Sequence, residues 1–205
     1  MKIIEMLSNN KNHYTGVNKC KYITIHETGN TNKGANAINH GKYINNGSSA
    51  TWHYTVDDKN IVKHYKEDVQ CWHCGDGKGN GNLNSIGVEM CINSDGDFNK
   101  TIENTIQLVI FLMNEFNIPI SNVVQHNYWS GKNCPMNIRS GKPITWNKFI
   151  EKVRNENIFQ NEQHENNYLY KVQVGAFSIK NNAEKLKDEL VKKGYEDVFI
   201  PKVKK

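Results

Sequence analysis

The sequence predicts an α/β protein in which strands and helices alternate along most of the chain, with a smaller βαβ-like unit at the end. Three observations carry this. "KYITIHETGN" sets Tyr22, Thr24 and His26 against Ile23 and Ile25, the period-two pattern of a strand that ends in a turn near His26. "KTIENTIQLVIFLMNEF" places Ile102, Ile106, Val109, Ile110, Met113 and Phe116 on one helical stripe. Beyond residue 153 the composition turns polar, and strong alternation resumes at "YLYKVQVGAF".

The other elements follow in order. "GANAINHGKYINNG" has Ala37, Ile38, Gly41 and Ile44 at helical spacing and closes on Gly47. "ATWHYTVDD" and "NIVKHY" form a hairpin around "DDKN". "DGKGNGNLN" is a Gly/Asn loop. "SIGVEMCIN" is a strand with Ile86, Val88 and Met90 on one face and Gly87, Glu89 and Cys91 on the other. Pro119 stops the long helix, "NVVQH" is a short strand, and "TWNKFIEKV" is the last helix of the main unit. The organisation is therefore 1–153 as the main domain, 154–167 as a polar linker, and 168–205 as the small unit, with "NNAEKLKDELVKKG" as its helix and "DVFIPKV" as its second strand.

Composition excludes several classes. With 205 residues and 37% hydrophobic content, the chain can bury one real core and little more. No apolar run approaches bilayer length, so no membrane insertion is expected. A net charge of +5 suits an anionic polymer but is too weak to argue for nucleic acid. The beginning "MKIIEMLSNNKNHY" has neither a long apolar run nor a small-residue cleavage site, so synthesis in the cytoplasm without a secretory signal is expected. The five cysteines, Cys20, Cys71, Cys74, Cys91 and Cys134, are too few and too scattered for a disulfide framework. Cys71 and Cys74 form a single CxxC, for which packed core thiols are favoured over a redox pair. "GDGKGNGN" lacks both Walker and GxGxxG spacing.

One constellation points to metal chemistry. His26 and His126 sit at strand ends, and Cys134 follows in the polar loop "QHNYWSGKNCP". A His2Cys set leaves one tetrahedral position open, as a catalytic zinc site requires. Glu89, on the polar face of its strand, is the candidate proton acceptor, and Lys132 the candidate charge beside a developing oxyanion. Each residue taken singly has an ordinary alternative: a core histidine, a surface carboxylate, a solvated lysine.

The motifs "ITIHETGN", "TWHYTVDD", "CWHCGDG", "SIGVEMC" and "QHNYWSGKNCP", in this order, resemble those of the zinc-dependent N-acetylmuramoyl-L-alanine amidases shared by phage lysins, autolysins and peptidoglycan-recognition proteins. The resemblance runs from about residue 20 to 150. It implies a mixed central β-sheet flanked by helices, a Zn2+ cofactor, bacterial peptidoglycan as partner, and action on the cell wall after release from the cell. It places His26, His126 and Cys134 on the zinc ligands, and Glu89 and Lys132 on the catalytic positions. Non-catalytic members of the fold typically lack the cysteine. Many relatives carry Tyr where this chain has Trp52; an indole exchanges no proton, so Trp52 can only shape or stack against substrate. His53 is a candidate substrate contact with a structural role as its alternative, and His73 is a candidate contact lining the groove. The tail "YLYKVQVGAFSIKNNAEKLKDELVKKGY" resembles the first half of a SPOR domain, a module that binds glycan strands lacking stem peptides. A second copy could complete its sheet as a homodimer, or the half could be a remnant.

Overall fold

The computed structural model describes residues 2–166, 172–196 and 198–202. The chain divides into two compact units, Met1–Glu162 and Gln163–Lys205. The elements of the first are β1 (Ile3–Glu5), β2 (His13–Val17), β3 (Tyr22–Glu27), α1 (Ala37–Asn45), β4 (Tyr54–Val56), β5 (Ile61–Lys63), β6 (Val69–Cys71), α2 (Asn80–Asn84), β7 (Ser85–Met90), α3 (Phe98–Phe116), β8 (Val123–Gln125), α4 (Asn127–Ser130), α5 (Met136–Arg139) and α6 (Trp146–Asn166).

Six strands form one sheet in the order β1-β5-β4-β7-β3-β8, and β2 pairs with β6 apart from it. The β4–β5 hairpin is antiparallel, whereas β3, β4, β7 and β8 run parallel. The sheet is therefore mixed, and the carboxyl ends of β3, β7 and β8 lie together. That edge is where open α/β sheets place their sites.

The core explains the alternation. Ile23 and Ile25 of β3 and Ile86, Val88 and Met90 of β7 are buried in one cluster with Ile102, Ile106, Val109 and Ile110 of α3 and Phe149 and Val153 of α6. Asp97 caps α3 by accepting from the Lys100 amide. Asn117, with φ 53, ends it two residues before Pro119. The opposite face of β3 carries Thr24 and His26, also buried, in register with Gly87 and Glu89 of β7.

Three short strands escaped the sequence reading. β1 and β6 have three residues each, and β2 is mostly exposed and polar, so their patterns are too short or too weak to read. Part of the expected Gly/Asn loop is helical as α2, because Asp76 accepts from the amides of Gly81 (2.7 Å) and Asn82 (3.1 Å) at its start. The segment expected to be a linker is helical as far as Asn166, where α6 continues past its apolar stripe. Among the described residues no helix is long and apolar enough to cross a membrane.

The second unit contains α7 (Lys180–Lys192), followed by Gly194 at φ 88, as its sequence predicts. The expected strands are not seen at 172–177 or 198–202, while 168–171, 197 and 203 lie outside the described residues. A strand exists only through a hydrogen-bonded neighbour, and Val172, Val174, Ile179 and Ile200 stay exposed here.

Two buried histidines link the fold to pH. His53 and His64 are completely buried, and burial holds their rings down, at about 4 and about 3, below the ordinary 6.5. The folded state keeps them neutral; the unfolded state protonates them once the pH falls below 6.5. Their contribution is therefore full above that pH and is lost as pH falls toward 4, at about 1.4 kcal/mol per pH unit for each ring. Urea unfolding at pH 7, 6 and 5 should show this loss, and a flat profile would refute it.

Candidate active site

Parallel register sets the site. His26 of β3 stands beside Glu89 of β7, and His126 follows β8, whose Gln125 is paired with Ile25. The chain then turns through α4, and its return loop brings Cys134 back, with the Cys134 carbonyl accepting from the Asn127 amide at 3.0 Å. His26 Nδ1 and His126 Nδ1 are 2.9 Å apart. Cys134 Sγ completes the group, each donor atom within 4.8 Å of the others and all three residues buried.

Neighbouring groups aim these donors. His126 Nε2 donates to the Cys74 carbonyl at 2.9 Å, which leaves the Nδ1 lone pair facing the cluster. His26 Nε2 lies 2.9 Å from His73 Nδ1. With the His26 proton on Nε2, two imidazole lone pairs and one sulfur converge on a single point. Two lone pairs held face to face repel unless a cation lies between them, so the donor set fits a metal ion. Burial, with the charges around them, pushes both histidines below their ordinary range and thus keeps them neutral. Burial and the nearby Glu89 push the Cys134 thiol up to about 12, so a cation is needed to take its proton.

Glu89 Oε1 is 3.9 Å from His26 Nδ1, and its Oε2 is buried without a partner. Burial pushes its carboxyl up to about 8, against the pull of Lys132. Lys132 is exposed, and its charge is felt at Glu89, His26, His126 and Cys134 alike. The structure thus brings together all five residues singled out for chemistry.

Two of the three expected substrate contacts are corrected. His53 is fully buried; its Nε2 donates to the Val69 carbonyl and its Nδ1 accepts from the Gly87 amide, both at 2.9 Å. No ring atom is left for a ligand, so the structural alternative holds. His73 lies beneath His26 rather than in a groove, only 8% exposed, with Cys74 Sγ 3.2 Å from its Nδ1 and a hydrogen bond to the Ser85 backbone. Trp52, by contrast, lines a cavity together with Glu89, its indole fixed by a 2.7 Å bond to Thr55 Oγ1.

Sequence reasoning missed the supports. The Glu27 carboxylate accepts the amides of Asn137 (3.0 Å) and Ile138 (3.2 Å), and the Glu27 amide donates to Cys134 Sγ at 3.4 Å. It thereby ties the cysteine loop to β3. Arg139 joins that loop to β8 through Asn133 and Gln125. Asn82 Oδ1 accepts the amides of His73 (2.9 Å) and Cys74 (2.8 Å), orienting the carbonyl that holds His126. Of these, only Glu27 carried a signal, its position next to His26. His26, His73 and Cys74 form a second group of possible donors. It lies inward: a Cβ at Gly81 would sit 2.6 Å from the Cys74 Cβ, and one at Gly87 2.7 Å from His73 Nδ1. The first group, beside Glu89 and Lys132, is the better place for an ion.

A mixed sheet with a buried His2Cys cluster at the carboxyl ends of its parallel strands defines a metal-site α/β protein of the hydrolase type. The family model described as N-acetylmuramoyl-L-alanine amidase matches residues 16–137, and the chain belongs to this family. A SPOR domain model matches 166–205. The N-acetylmuramoyl-L-alanine amidase XlyA of Bacillus subtilis is 48% identical over 129 residues, which are 62% of this chain and 42% of that protein. The amidase CwlH of the same organism is 47% identical over 134 residues, 64% and 52% respectively. This chain spans about half the length of these curated relatives. The solved catalytic domain of XlyA superposes with a TM-score of 0.70 at 42% identity, covering 75% of this chain and 99% of that one. The structure of PlyL does so at 0.67 and 37%, covering 75% and 97%.

Proposed function

We propose that the chain hydrolyses the amide between N-acetylmuramic acid and the first L-alanine of the peptidoglycan stem, as a zinc-dependent amidase of the endolysin or autolysin kind. The observation that carries this is the convergence of His26 Nδ1, His126 Nδ1 and Cys134 Sγ beside Glu89 and Lys132. These three residues would hold the zinc. Two neutral imidazoles and a thiolate suit Zn2+ and leave a fourth position open. A bound zinc ion would activate water and polarise the scissile carbonyl.

The protein's own groups do the rest. Glu89 accepts the proton of the attacking water and returns it to the leaving alanine amine. Lys132 stabilises the charge on the carbonyl oxygen. Trp52 shapes the groove, and His73 holds the orientation of His26. Lys132→Ala should keep its zinc but lose activity about a hundredfold, near 3 kcal/mol of barrier. Full turnover in that variant would remove the role. Gly87→Ala should push the His73 ring off His26 and weaken zinc binding by about 10–100-fold, read by competition with a chromophoric chelator. Unchanged affinity would show that His73 does not position the ligand.

The family reading is tested on purified peptidoglycan, with and without chelator. New L-alanine amines that vanish with chelator and return with zinc support the amidase. Binding without new amines would make the chain a recognition protein, a reading that the presence of Cys134 disfavours. The unit at 168–205 would hold the enzyme on glycan strands and pair with a second copy to complete its sheet. A monomer in sedimentation velocity removes the pairing.

A further inference from the structure

Four buried polar atoms cluster beyond Glu89 without hydrogen-bond partners: Thr28 Oγ1, His40 Nε2, Ser48 Oγ and Glu89 Oε2. All four residues line one cavity of about 460 Å³, whose apolar wall is built by Trp52 and Tyr43. Among the described residues only His64 Nδ1 shares this orphaned condition elsewhere. Buried polar groups are nearly always paired, so four in one cavity mark a place built to receive a polar ligand. The volume lies within the range of about 300–1,000 Å³ usual for small-ligand sites.

The wall is fixed in advance. His40, 9% exposed, projects from α1 with its ring edge-on to Trp52 at 6.2 Å. Trp52 is in turn bonded to Thr55, and Thr55 to His64 at 2.8 Å. Ser48 is 5% exposed. A ring nitrogen and two hydroxyls can each serve as donor or acceptor, which matches amide groups with their paired N–H and C=O. No lysine or arginine lines the cavity, so an uncharged amide fits it better than a free carboxylate.

Glu89 decides which part of the substrate enters. It is shared by the metal cluster and the cavity. As the group that returns a proton to the leaving amine, it must lie on the amine side of the scissile bond, from which the stem peptide continues. We propose that this cavity binds the stem peptide beyond its first alanine, with His40 and Ser48 as specificity-determining residues that hydrogen-bond its amides. The direction of the stem rests on the amidase reading; the ligand character of the cavity does not.

The test uses the zinc-loaded full chain and two substrates, N-acetylmuramoyl-L-alanine and N-acetylmuramoyl tetrapeptide. The ratio of kcat/KM, long over short, should fall about tenfold in His40→Phe and recover in part in His40→Gln. Ser48→Ala should lower the same ratio and stands in if His40→Phe fails to fold. A ratio unchanged in His40→Phe and Ser48→Ala overturns the proposal, whether activity falls equally on both substrates or on neither. Calorimetry with the free tetrapeptide needs no turnover. Its Kd should weaken about tenfold in His40→Phe. If the unsubstituted protein hydrolyses neither substrate, the amidase reading falls and calorimetry alone decides the cavity. Tetrapeptide binding that ignores His40, or His40-dependent binding of a stem-free disaccharide in its place, overturns the assignment.

Discussion

Cys134→Ser is expected to yield a folded protein that no longer retains stoichiometric zinc and has no measurable amidase activity. The substitution is nearly isosteric at a residue only 5% exposed, so packing is kept. What changes is the donor. A cation can draw the proton from a thiol whose pKa lies near 12, but the serine hydroxyl is a far weaker acid and a harder ligand. His26 and His126 would remain, with two lone pairs 2.9 Å apart and no third donor. Zinc that binds the folded state stabilises it by mass action, so the variant should melt with the zinc-free parent and below the loaded one. Elemental analysis after gel filtration decides the matter. One zinc per chain in Cys134→Ser would show that the sulfur is not a ligand.

Glu89→Gln should separate metal binding from chemistry. The amide keeps the size of the side chain but cannot take a proton from water. A positioned acid–base group contributes about 10²–10⁴-fold, so kcat should fall by that order while zinc stays bound. The buried Oε2 without a partner means that the carboxylate does little for stability, so the melting temperature should hold or rise. A variant within a fewfold of the parent rate would assign the proton transfer to another group. A variant that lost its zinc would instead make Glu89 part of the metal's support.

Which parts of the molecule were legible in advance follows from the range of the interactions concerned. β3, β7 and α3 carry strict periodicities of two and 3.6, because each buries a defined face in one core, and their patterns could be read directly. β1, β2 and β6 gave no such signal; they exist through pairing with residues distant in sequence, such as Ile3 with Ile61 and His13 with Cys71. The helix through 154–166 lacks an apolar stripe, and it continues from an anchored first half rather than from its own pattern. The C-terminal unit shows the converse: alternation is plain in its sequence, yet 172–177 and 198–202 are not in strands, since a strand pattern without a neighbour forms no ladder.

The same division runs through the site. By itself the sequence determined the donor chemistry: two imidazoles, a thiol, a carboxylate and an ammonium, set at strand ends and in one loop. Those identities are local and need no coordinates. Only the tertiary structure decided what each histidine does. His53 and His73 stand in motifs as suggestive as those of His26 and His126, but backbone groups of Val69 and Gly87 occupy one ring, and the other is placed beneath His26. Likewise Glu27, an acidic side chain in an acidic-sounding motif, proved to be the clamp on the Cys134 loop. The physical reason is that a histidine's role depends on which lone pair remains free after its neighbours are satisfied, and those neighbours come from chain segments tens of residues away.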